Sequence, residues 1–259
     1  MPKKSKHLKN SHKIKMPLLI VFTIIVVLGI TYISYYLYNN YKTRKDNTNI
    51  LSNIKINKTD ITESKTERML QLEELQKENK EIIGWLEIEG TNINYPVLQA
   101  SDNDYYLTHN YKKEKSSTGS IFLDKDFDII NGSSNYLIYG HRSKSGFMFE
   151  DLMKYAKEDF YKEHKKIKFT TNKDDGIYEI LSVFYSRVYY KSEKNVFRYY
   201  YFVNANNKQE YNDFVNNARE VSIYDTGVTA NYGEQLLTLS TCEYSQEDGR
   251  FVVVCKKTE

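Results

Sequence analysis

The pattern of apolar and polar positions divides the chain into an apolar N-terminal segment, a polar stretch and a folded domain. Residues 16–38 are 23 consecutive positions without a charged side chain, and about 20 such residues suffice for a helix to cross a bilayer. Residues 39–62 are polar and show little apolar periodicity, which is typical of a linker. The remaining residues, 63–259, have the pattern of a folded domain.

The domain begins with a predicted helix over residues 63–83. Ser64 and Glu67 have the spacing of a capping box, and Gly84 suits the helix end. The apolar residues that approximate one helical face are Met69, Leu72, Leu75, Ile82 and Ile83. The spacing therefore predicts an amphipathic helix that packs against the rest of the domain.

From Trp85 onward the pattern changes to short β-branched, aromatic and apolar segments that are broken by Gly, Asn, Asp and Ser. The predicted strands are 85–89, 93–98, 119–124, 135–139, 166–171, 177–189, 235–241 and 250–256. Helical spacing interrupts them at 147–157 and within 207–220. Eight short strands and few helices predict a mostly β domain, either a barrel or a sandwich.

Charge is distributed unevenly around the apolar segment. Six lysines precede residue 16, whereas Lys42, Arg44 and Lys45 follow it. The positive-inside rule therefore predicts that residues 1–15 are cytoplasmic and that the domain lies outside the cell. A cleaved signal peptide is the alternative, but the apolar segment is long for one and no small-x-small site follows. With a net charge of +3, the position of the basic block favours a membrane flank over nucleic-acid binding.

The densest group of potentially reactive residues lies near the C-terminus. The predicted strand 235–241 runs into Cys242, a polar turn follows, and Arg250 opens the next strand. A hairpin would bring the two residues together, and a cationic neighbour lowers the pKa of a thiol and favours the nucleophilic thiolate. The arginine could also stabilise the oxyanion that forms when a thiolate attacks a carbonyl group.

Cys255 is the only other cysteine, and an extracytoplasmic domain permits a disulfide. In a hairpin centred near residues 246–247, Cys242 faces Phe251 and Cys255 faces Thr238. The cysteines are then offset by about four residues, or about 13 Å along the strands. Because a disulfide needs Cα atoms within about 7 Å, Cys255 is predicted to be a small buried apolar residue.

A cysteine nucleophile normally needs a base, and the domain offers three histidines. His141 directly follows a predicted strand and a glycine, at the start of a loop, which is where a rigid scaffold presents reactive groups. His109, in the segment YYLTHNYK, is the alternative. His164 lies in the lysine-rich segment YKEHKKIK, which is typical of a solvated face. The local pattern favours His141.

No metal or cofactor is predicted. The only short-spaced pair of histidines, His7 and His12, belongs to the basic tail. Asp124, Asp126 and Asp128 alternate, but they lack the glycine and the distal glutamate of a calcium-binding helix-loop-helix. The chain also lacks a glycine-rich phosphate-binding loop.

Taken together, these residues resemble class B sortases of Gram-positive bacteria. The matching segments are GWLEIEGTNINYPVLQASDNDYYL at 84–107, GSIFLD at 119–124, YGH at 139–141, FMFEDL at 147–152 and TLSTC at 238–242, with Arg250 eight residues later. The resemblance covers roughly residues 65–257. The chain order, histidine before cysteine, argues against papain-like and cell-wall amidase folds.

The resemblance implies an eight-stranded sortase-type β-barrel with an N-terminal helix and a helix before the cysteine strand. It also implies a cysteine transpeptidase that cleaves the C-terminal sorting signal of a secreted protein after Thr. The acyl group would be held as a thioester and passed to an amine of the peptidoglycan peptide. The partners would thus be secreted proteins, the cell wall and the membrane, with no nucleic acid.

By position, the resemblance assigns roles to individual residues. Cys242 would be the nucleophile, His141 the acid/base and Arg250 the oxyanion-stabilising or substrate-positioning group. In addition, Ser240 and Thr241 would border the substrate groove, and the backbone amide of Glu243 would be an oxyanion-hole donor.

Two alternative functions stay open. The same acyl-enzyme could react with water, which would make the chain a membrane-anchored cysteine peptidase. The domain could also be a non-enzymatic surface-binding module. Pilus-forming class C sortases carry an Asp-Pro lid motif, and the only prolines here are Pro2, Pro17 and Pro96, which favours anchoring of single proteins over polymerisation of pilins.

Overall fold

The computed structural model describes residues 11–48, 50, 54, 61, 65–143 and 146–259. The chain divides into two units, Met1–Thr48 and Asn49–Glu259. In the first unit, the described residues form one helix, α1 (Ser11–Thr48). Its segment Met16–Asn39 is long and apolar enough to cross a membrane, by length and composition alone.

Helix α1 continues ten residues beyond the predicted end of the apolar segment at residue 38. Residues 39–48 are polar, but they contain neither proline nor glycine, and extending an existing helix is far easier than starting one. The predicted linker is therefore helical in its first part. The basic residues before residue 11 and most of 51–64 lie outside the described residues.

The second unit is built on a closed eight-stranded barrel. The strands are β1 (Ile82–Glu87), β2 (Asn94–Leu98), β3 (Ile121–Leu123), β4 (Asn135–Gly140), β5 (Lys166–Thr171), β6 (Asp175–Arg187), β7 (Leu236–Cys242) and β8 (Gly249–Lys257). Their order around the barrel is β1-β2-β3-β4-β7-β8-β6-β5. The pairs β2/β3 and β4/β7 are parallel, and the other pairs are antiparallel. Eight predicted strands are confirmed, and the barrel excludes the sandwich.

The barrel interior is filled by the apolar side chains of the strands. Fully buried members of this core include Leu86, Ile138, Ile180, Leu239 and Val253, which come from five different strands. Burying such a side chain contributes roughly 1.5–3 kcal/mol. The strand ends are thus carried on a rigid scaffold.

Helix α2 (Glu67–Glu78) packs Leu72 and Leu75 into a second apolar cluster that includes Trp85. Thr66 is the N-cap and accepts a hydrogen bond from the amide of Met69 at 3.3 Å; the predicted cap, Ser64, lies outside the described residues. The predicted helix end was wrong, because Asn79 is extended and stops the helix.

Ile82 and Ile83, predicted to continue the helical face, belong instead to strand β1. Ile82 pairs with Leu98 of β2 and is completely buried. The amide of Asn79 donates a side-chain hydrogen bond to the carbonyl of Tyr111 at 2.7 Å, which fixes the turn between the helix and the strand.

Two further helical predictions have different outcomes. Residues 147–157, predicted as one helix, contain a 3₁₀ helix, Glu150–Ala156, followed by the short helix α3 (Glu158–Glu163). The extended conformation of Lys157 separates the two. Helix α4 (Lys208–Glu220) confirms the other prediction, and the residues of its buried face are Tyr211, Phe214, Val215 and Ala218.

Candidate active site

The hairpin of β7 and β8 places Cys242 directly opposite Arg250. Residues directly opposite each other in an antiparallel pair project to the same face, so the thiol and the guanidinium share one side of the sheet. The predicted register, with Cys242 opposite Phe251, was wrong by one residue. The turn places Asp248 at φ +52°, and β8 then begins at Gly249, one residue earlier than predicted.

The two cysteines do not form a disulfide. Cys255 pairs with Leu237, five positions along β7 from Cys242, and its side chain is fully buried. Burial raises the pKa of the Cys255 thiol well above its ordinary value. Cys255 is therefore an inert core residue, whereas Cys242 is partly exposed at the strand end.

His141 reaches Cys242 because β4 and β7 run parallel and end at the same edge. The last paired residues are Gly140 and Thr241, so the next residue of each strand is His141 and Cys242. Gly140 leaves no room for a side chain, since a Cβ atom there would lie 2.5 Å from Ile121 Cδ1 and 2.7 Å from Phe149 Cδ2. This close packing fixes the backbone of Gly140 and therefore the place at which His141 begins the next loop.

The imidazole of His141 is oriented by a backbone carbonyl. Its Nε2 lies 2.8 Å from the oxygen of Leu107, which ends the 3₁₀ turn Tyr105–Leu107. A proton on Nε2 can be donated to this oxygen, and the other ring nitrogen is then available to the thiol. A carbonyl thus takes the place that a carboxylate holds in many triads.

The thiol and the imidazole shift each other's pKa. The hydrogen bond with His141 holds the pKa of Cys242 below its ordinary value against the effect of burial, and the Arg250 charge acts in the same direction. The hydrogen bond with Cys242, together with that to Leu107, raises the pKa of His141. Both shifts increase the fraction of the thiolate–imidazolium pair, which titrates as a unit.

These residues surround a cavity of about 380 Å³. Its wall consists of aromatic, aliphatic and polar groups, with Arg250 as the only lysine or arginine among the described lining residues. The residues that line it, besides the three already named, include Asn103, Leu107, Asp124, Tyr139, Val188 and Tyr199–Tyr201. Such a wall suits an extended peptide with both apolar and hydrogen-bonding parts.

A buried carboxylate orders one side of the cavity. Asp124 accepts hydrogen bonds from the Tyr139 hydroxyl at 3.0 Å and from the Asn103 amide at 2.9 Å. Its burial is compensated by these bonds and by the amide of Asp126 at 2.9 Å. Of the alternating aspartates noted in the sequence, Asp124 thus stabilises the cavity wall.

The three predicted substrate-groove residues occupy different positions. Ser240 and Thr241 both line the cavity, although the Ser240 hydroxyl pairs with Tyr199 at 2.7 Å and the Thr241 hydroxyl donates to the Gly140 carbonyl at 2.8 Å. Glu243 does not line it. Its backbone amide, predicted as an oxyanion-hole donor, donates to the carbonyl of Gly249 at 2.9 Å and is not free in this conformation.

The competing histidines lie outside the cavity. His109 stacks on Tyr105, with ring centroids 4.1 Å apart, and its Nδ1 is 2.9 Å from the Tyr105 carbonyl. His164 stacks on Phe160 in the same manner, also at 4.1 Å. Both rings therefore hold local turns together.

Three groups around the site could not be singled out from the sequence. Leu107, whose carbonyl orients His141, contributes only a backbone oxygen, which has no side-chain signal. Tyr199, which bonds to Ser240, lies in a connection without a motif, and the sequence suggests Asp124 only as part of an incomplete calcium motif. Among the residues that the structure describes, no group of three His, Cys, Asp or Glu side chains could hold a metal ion.

Comparison with known proteins gives the family. A family model described as "Sortase domain" matches residues 86–258. The chain belongs to the sortase family. It is 38% identical to sortase B of Listeria monocytogenes over 187 residues, covering 71% of this chain and 72% of that protein. It is 34% identical to sortase B of Staphylococcus aureus over 188 residues, covering 72% and 74%.

Solved structures agree with this membership. A crystal structure of sortase B from Bacillus anthracis in complex with AAEK1 superposes with a TM-score of 0.72 at 34% identity, covering 86% of this chain and 99% of that one. A Staphylococcus aureus sortase B–substrate complex gives 0.73 at 28% identity, with the same coverage. The resemblance to class B is thus confirmed. Since sortases are cysteine transpeptidases, the chain is an enzyme, and a non-enzymatic binding module is set aside.

Proposed function

We propose that this sortase cleaves a C-terminal sorting signal of secreted proteins after Thr and transfers the product to an amine of the peptidoglycan peptide. The observation that carries the proposal is the convergence of Cys242, His141 and Arg250 on one peptide-sized cavity. Incubation of the enzyme with a library of short Thr-containing peptides and an amine, followed by mass spectrometry of the products, tests it. Products in which the amine is joined to the carbonyl group of the Thr support the proposal, and cleavage at another residue contradicts it.

In the first half of the reaction, the Cys242 thiolate attacks the carbonyl carbon of the substrate Thr and a C–S bond forms. The negative charge moves to the carbonyl oxygen. As the intermediate collapses, the C–N bond breaks, and the imidazolium of His141 gives its proton to the departing amine. The product is a thioester on Cys242 and a neutral His141.

In the second half, the peptidoglycan amine attacks the thioester carbonyl. His141 removes a proton from this amine, the C–S bond breaks, and the thiolate–imidazolium pair is regenerated. The new amide bond has the same chemical type as the bond that was cleaved, so no cofactor or energy source is needed.

Arg250 fits the role of oxyanion donor. It cannot act as an acid, because its guanidinium stays protonated throughout the accessible pH range. In the described structure, Nη1 donates to the carbonyls of Asp248 and Gly249 at 3.1 and 2.9 Å, and these bonds orient the guanidinium plane. If the amide of Glu243 also acts, its bond to Gly249 must open when substrate binds.

Hydrolysis is the competing outcome for the same acyl-enzyme. Water and an amine compete for one thioester, and the geometry of the three residues serves both. Measuring the ratio of hydrolysed to transferred product with and without an added amine separates the two. A ratio that does not respond to the amine would identify a peptidase.

The proposed location is the cell membrane, with a single span and the domain outside. The uncharged segment Met16–Asn39 and the lysines before it support this orientation. We expect the intact chain to fractionate with membranes and to be digested by protease added to whole cells whose wall has been removed. A mature form beginning near residue 39 would contradict the uncleaved anchor.

The coupled pKa shifts predict the pH dependence of thiol reactivity. The rate of alkylation of Cys242 follows its thiolate fraction, so the rate should rise at lower pH than for an ordinary thiol. His141→Ala removes the main cause of the lowered pKa, and the midpoint should move to higher pH. His109→Ala is the control, and its profile should match wild type. Equal shifts in both variants would mean that the wrong histidine has been chosen.

The same pair predicts a bell-shaped profile for turnover. Activity should rise as the pair loses its first proton and Cys242 becomes a thiolate. It should fall as the imidazolium of His141, whose pKa is raised, loses the proton that the leaving amine needs. Steady-state rates across the pH range test this, and a single sigmoidal rise without a descending limb would argue against His141 as the acid.

A further inference from the structure

Just beyond the last paired residues of the parallel strands β4 and β7, two successive pairs of residues combine complementary side chains. Their last paired residues are Gly140 and Thr241. Continuing the register by one residue matches His141 with Cys242. Continuing by two matches Arg142 with Glu243, a cation with an anion. The position beyond the reactive pair is therefore an oppositely charged pair.

Arg142 contacts an acidic group on each of two loops. Its Nε lies 3.5 Å from Glu150 Oε2, on the connection that follows His141, and its Nη1 lies 3.8 Å from Glu243 Oε1. The guanidinium also stands over the ring of Tyr244, 5.3 Å from its centroid, and the Tyr244 hydroxyl donates to the Arg142 carbonyl at 3.0 Å. Arg142 thus connects the chain after His141 with the chain after Cys242.

The carboxylates of Glu243 and Glu150 are both in surroundings that favour pairing with Arg142. The Glu243 side chain is only 9% exposed, and the amide of Ser245 donates to both of its oxygens at 3.0 Å. Although burial opposes it, the bonds from Ser245 and the charge of Arg142 keep the pKa of Glu243 below its ordinary value. Glu150 Oε2 is buried and accepts no hydrogen bond within the described part of the chain, and among the same residues Arg142 is the cation that lies beside it.

We propose that Arg142, Glu243 and Glu150 form an ion-pair clasp that sets the separation of the Cys242 thiol and the His141 imidazole. The three residues do not line the cavity, so they act as positioning residues. Without the clasp, the loops after β4 and β7 are joined only by weaker links such as the bond from the Tyr244 hydroxyl to the Arg142 carbonyl, and the thiol–imidazole contact lengthens. The inference rests on the roles proposed for Cys242 and His141.

Two single substitutions distinguish the clasp from simple charge effects. If Arg142 and Glu243 acted on Cys242 only through space, Arg142→Gln would raise the thiol pKa and Glu243→Gln would lower it. The clasp predicts that both variants raise it, because each breaks the same contact. The measurement is the pH dependence of iodoacetamide alkylation of the full-length enzyme in detergent, where only the partly exposed Cys242 should react.

Turnover gives a second readout. Loss of positioning should lower kcat/KM for transfer by about 10- to 100-fold in either variant. The double variant should be no less active than Arg142→Gln alone, because Arg142→Gln already removes the contact with Glu243. Arg68→Gln is the matched control, since Arg68 also pairs with a carboxylate, Glu87 at 3.0 Å, and covers a ring, Trp85, at 4.9 Å. It should keep the wild-type alkylation midpoint.

Opposite shifts in the two glutamine variants, unchanged midpoints or additive losses would overturn the clasp. Should the glutamine variants fail to fold, Arg142→Lys keeps the charge while losing the planar two-sided contact; the clasp predicts a raised midpoint, and a through-space charge predicts none. Alkylation needs no sorting peptide. Failure of the wild-type enzyme to form a transfer product would therefore contradict the proposed function separately from the clasp.

Discussion

Cys242→Ala is expected to abolish both cleavage of sorting peptides and transfer to an amine. In the proposed mechanism the thiolate forms the covalent bond to the substrate, and alanine offers no group that could replace it. The loss should be about 10⁴-fold or more, as is typical when a covalent nucleophile is removed. Product formation by mass spectrometry measures it, and the thermal unfolding midpoint of the same sample shows that the variant is folded.

Cys255→Ser is the matched control for this substitution. It places a hydroxyl in a fully buried site, which should cost about 1–3 kcal/mol of the free energy of unfolding. The folded fraction should keep its activity. An equal loss of activity in both variants, with both folded, would contradict the choice of nucleophile.

Arg250→Ala is expected to slow acylation by about 100- to 1000-fold, the usual effect of removing one oxyanion donor. The limbs of the pH profile should stay close to wild type, because the proposed proton transfers involve Cys242 and His141 and not Arg250. Single-turnover acylation rates measure this effect without interference from the transfer step.

Arg250→Lys tests whether the geometry of the guanidinium matters. Lysine keeps the positive charge opposite Cys242 but loses the planar set of donors that the carbonyls of Asp248 and Gly249 orient. It should therefore remain strongly impaired. A rate close to wild type would show that a point charge is sufficient and that directed hydrogen bonds to the substrate are not required.

Much of the secondary structure could be predicted from the local sequence pattern, because the alternation of a strand and the spacing of a helix are clear where an element has one buried face. The strand ending at Cys242 and the helix α4 both have such a face, and both lie within two residues of their predicted positions. The helix predicted over residues 63–83 failed at its end because Ile82 and Ile83 fit a helical face and a buried strand equally well. Only tertiary pairing with β2 decides between these.

The candidate catalytic residues could be selected from sequence because Cys242, His141 and Arg250 stand at strand ends beside turns. Their contacts could not, since those depend on which strands become neighbours. The parallel pairing of β4 with β7 brings residues 141 and 242 together across a hundred positions of chain. The Leu107 carbonyl that accepts from His141 is a backbone group, and the hydrogen bond from the Glu243 amide to the Gly249 carbonyl joins two backbone groups. Backbone groups are the same in every residue type, so the side-chain pattern does not reveal them.

The most direct test of a Cys242 thioester is the mass of the trapped acyl-enzyme. The full-length enzyme is mixed with a sorting peptide in the absence of an amine, quenched in acid and analysed intact and after digestion. The expected result is a mass increase equal to the peptide portion ending at Thr, located on the fragment that contains Cys242 and lost on addition of an amine, with the transfer product appearing in its place. An adduct on Cys255, or an adduct that an amine does not release, would contradict it.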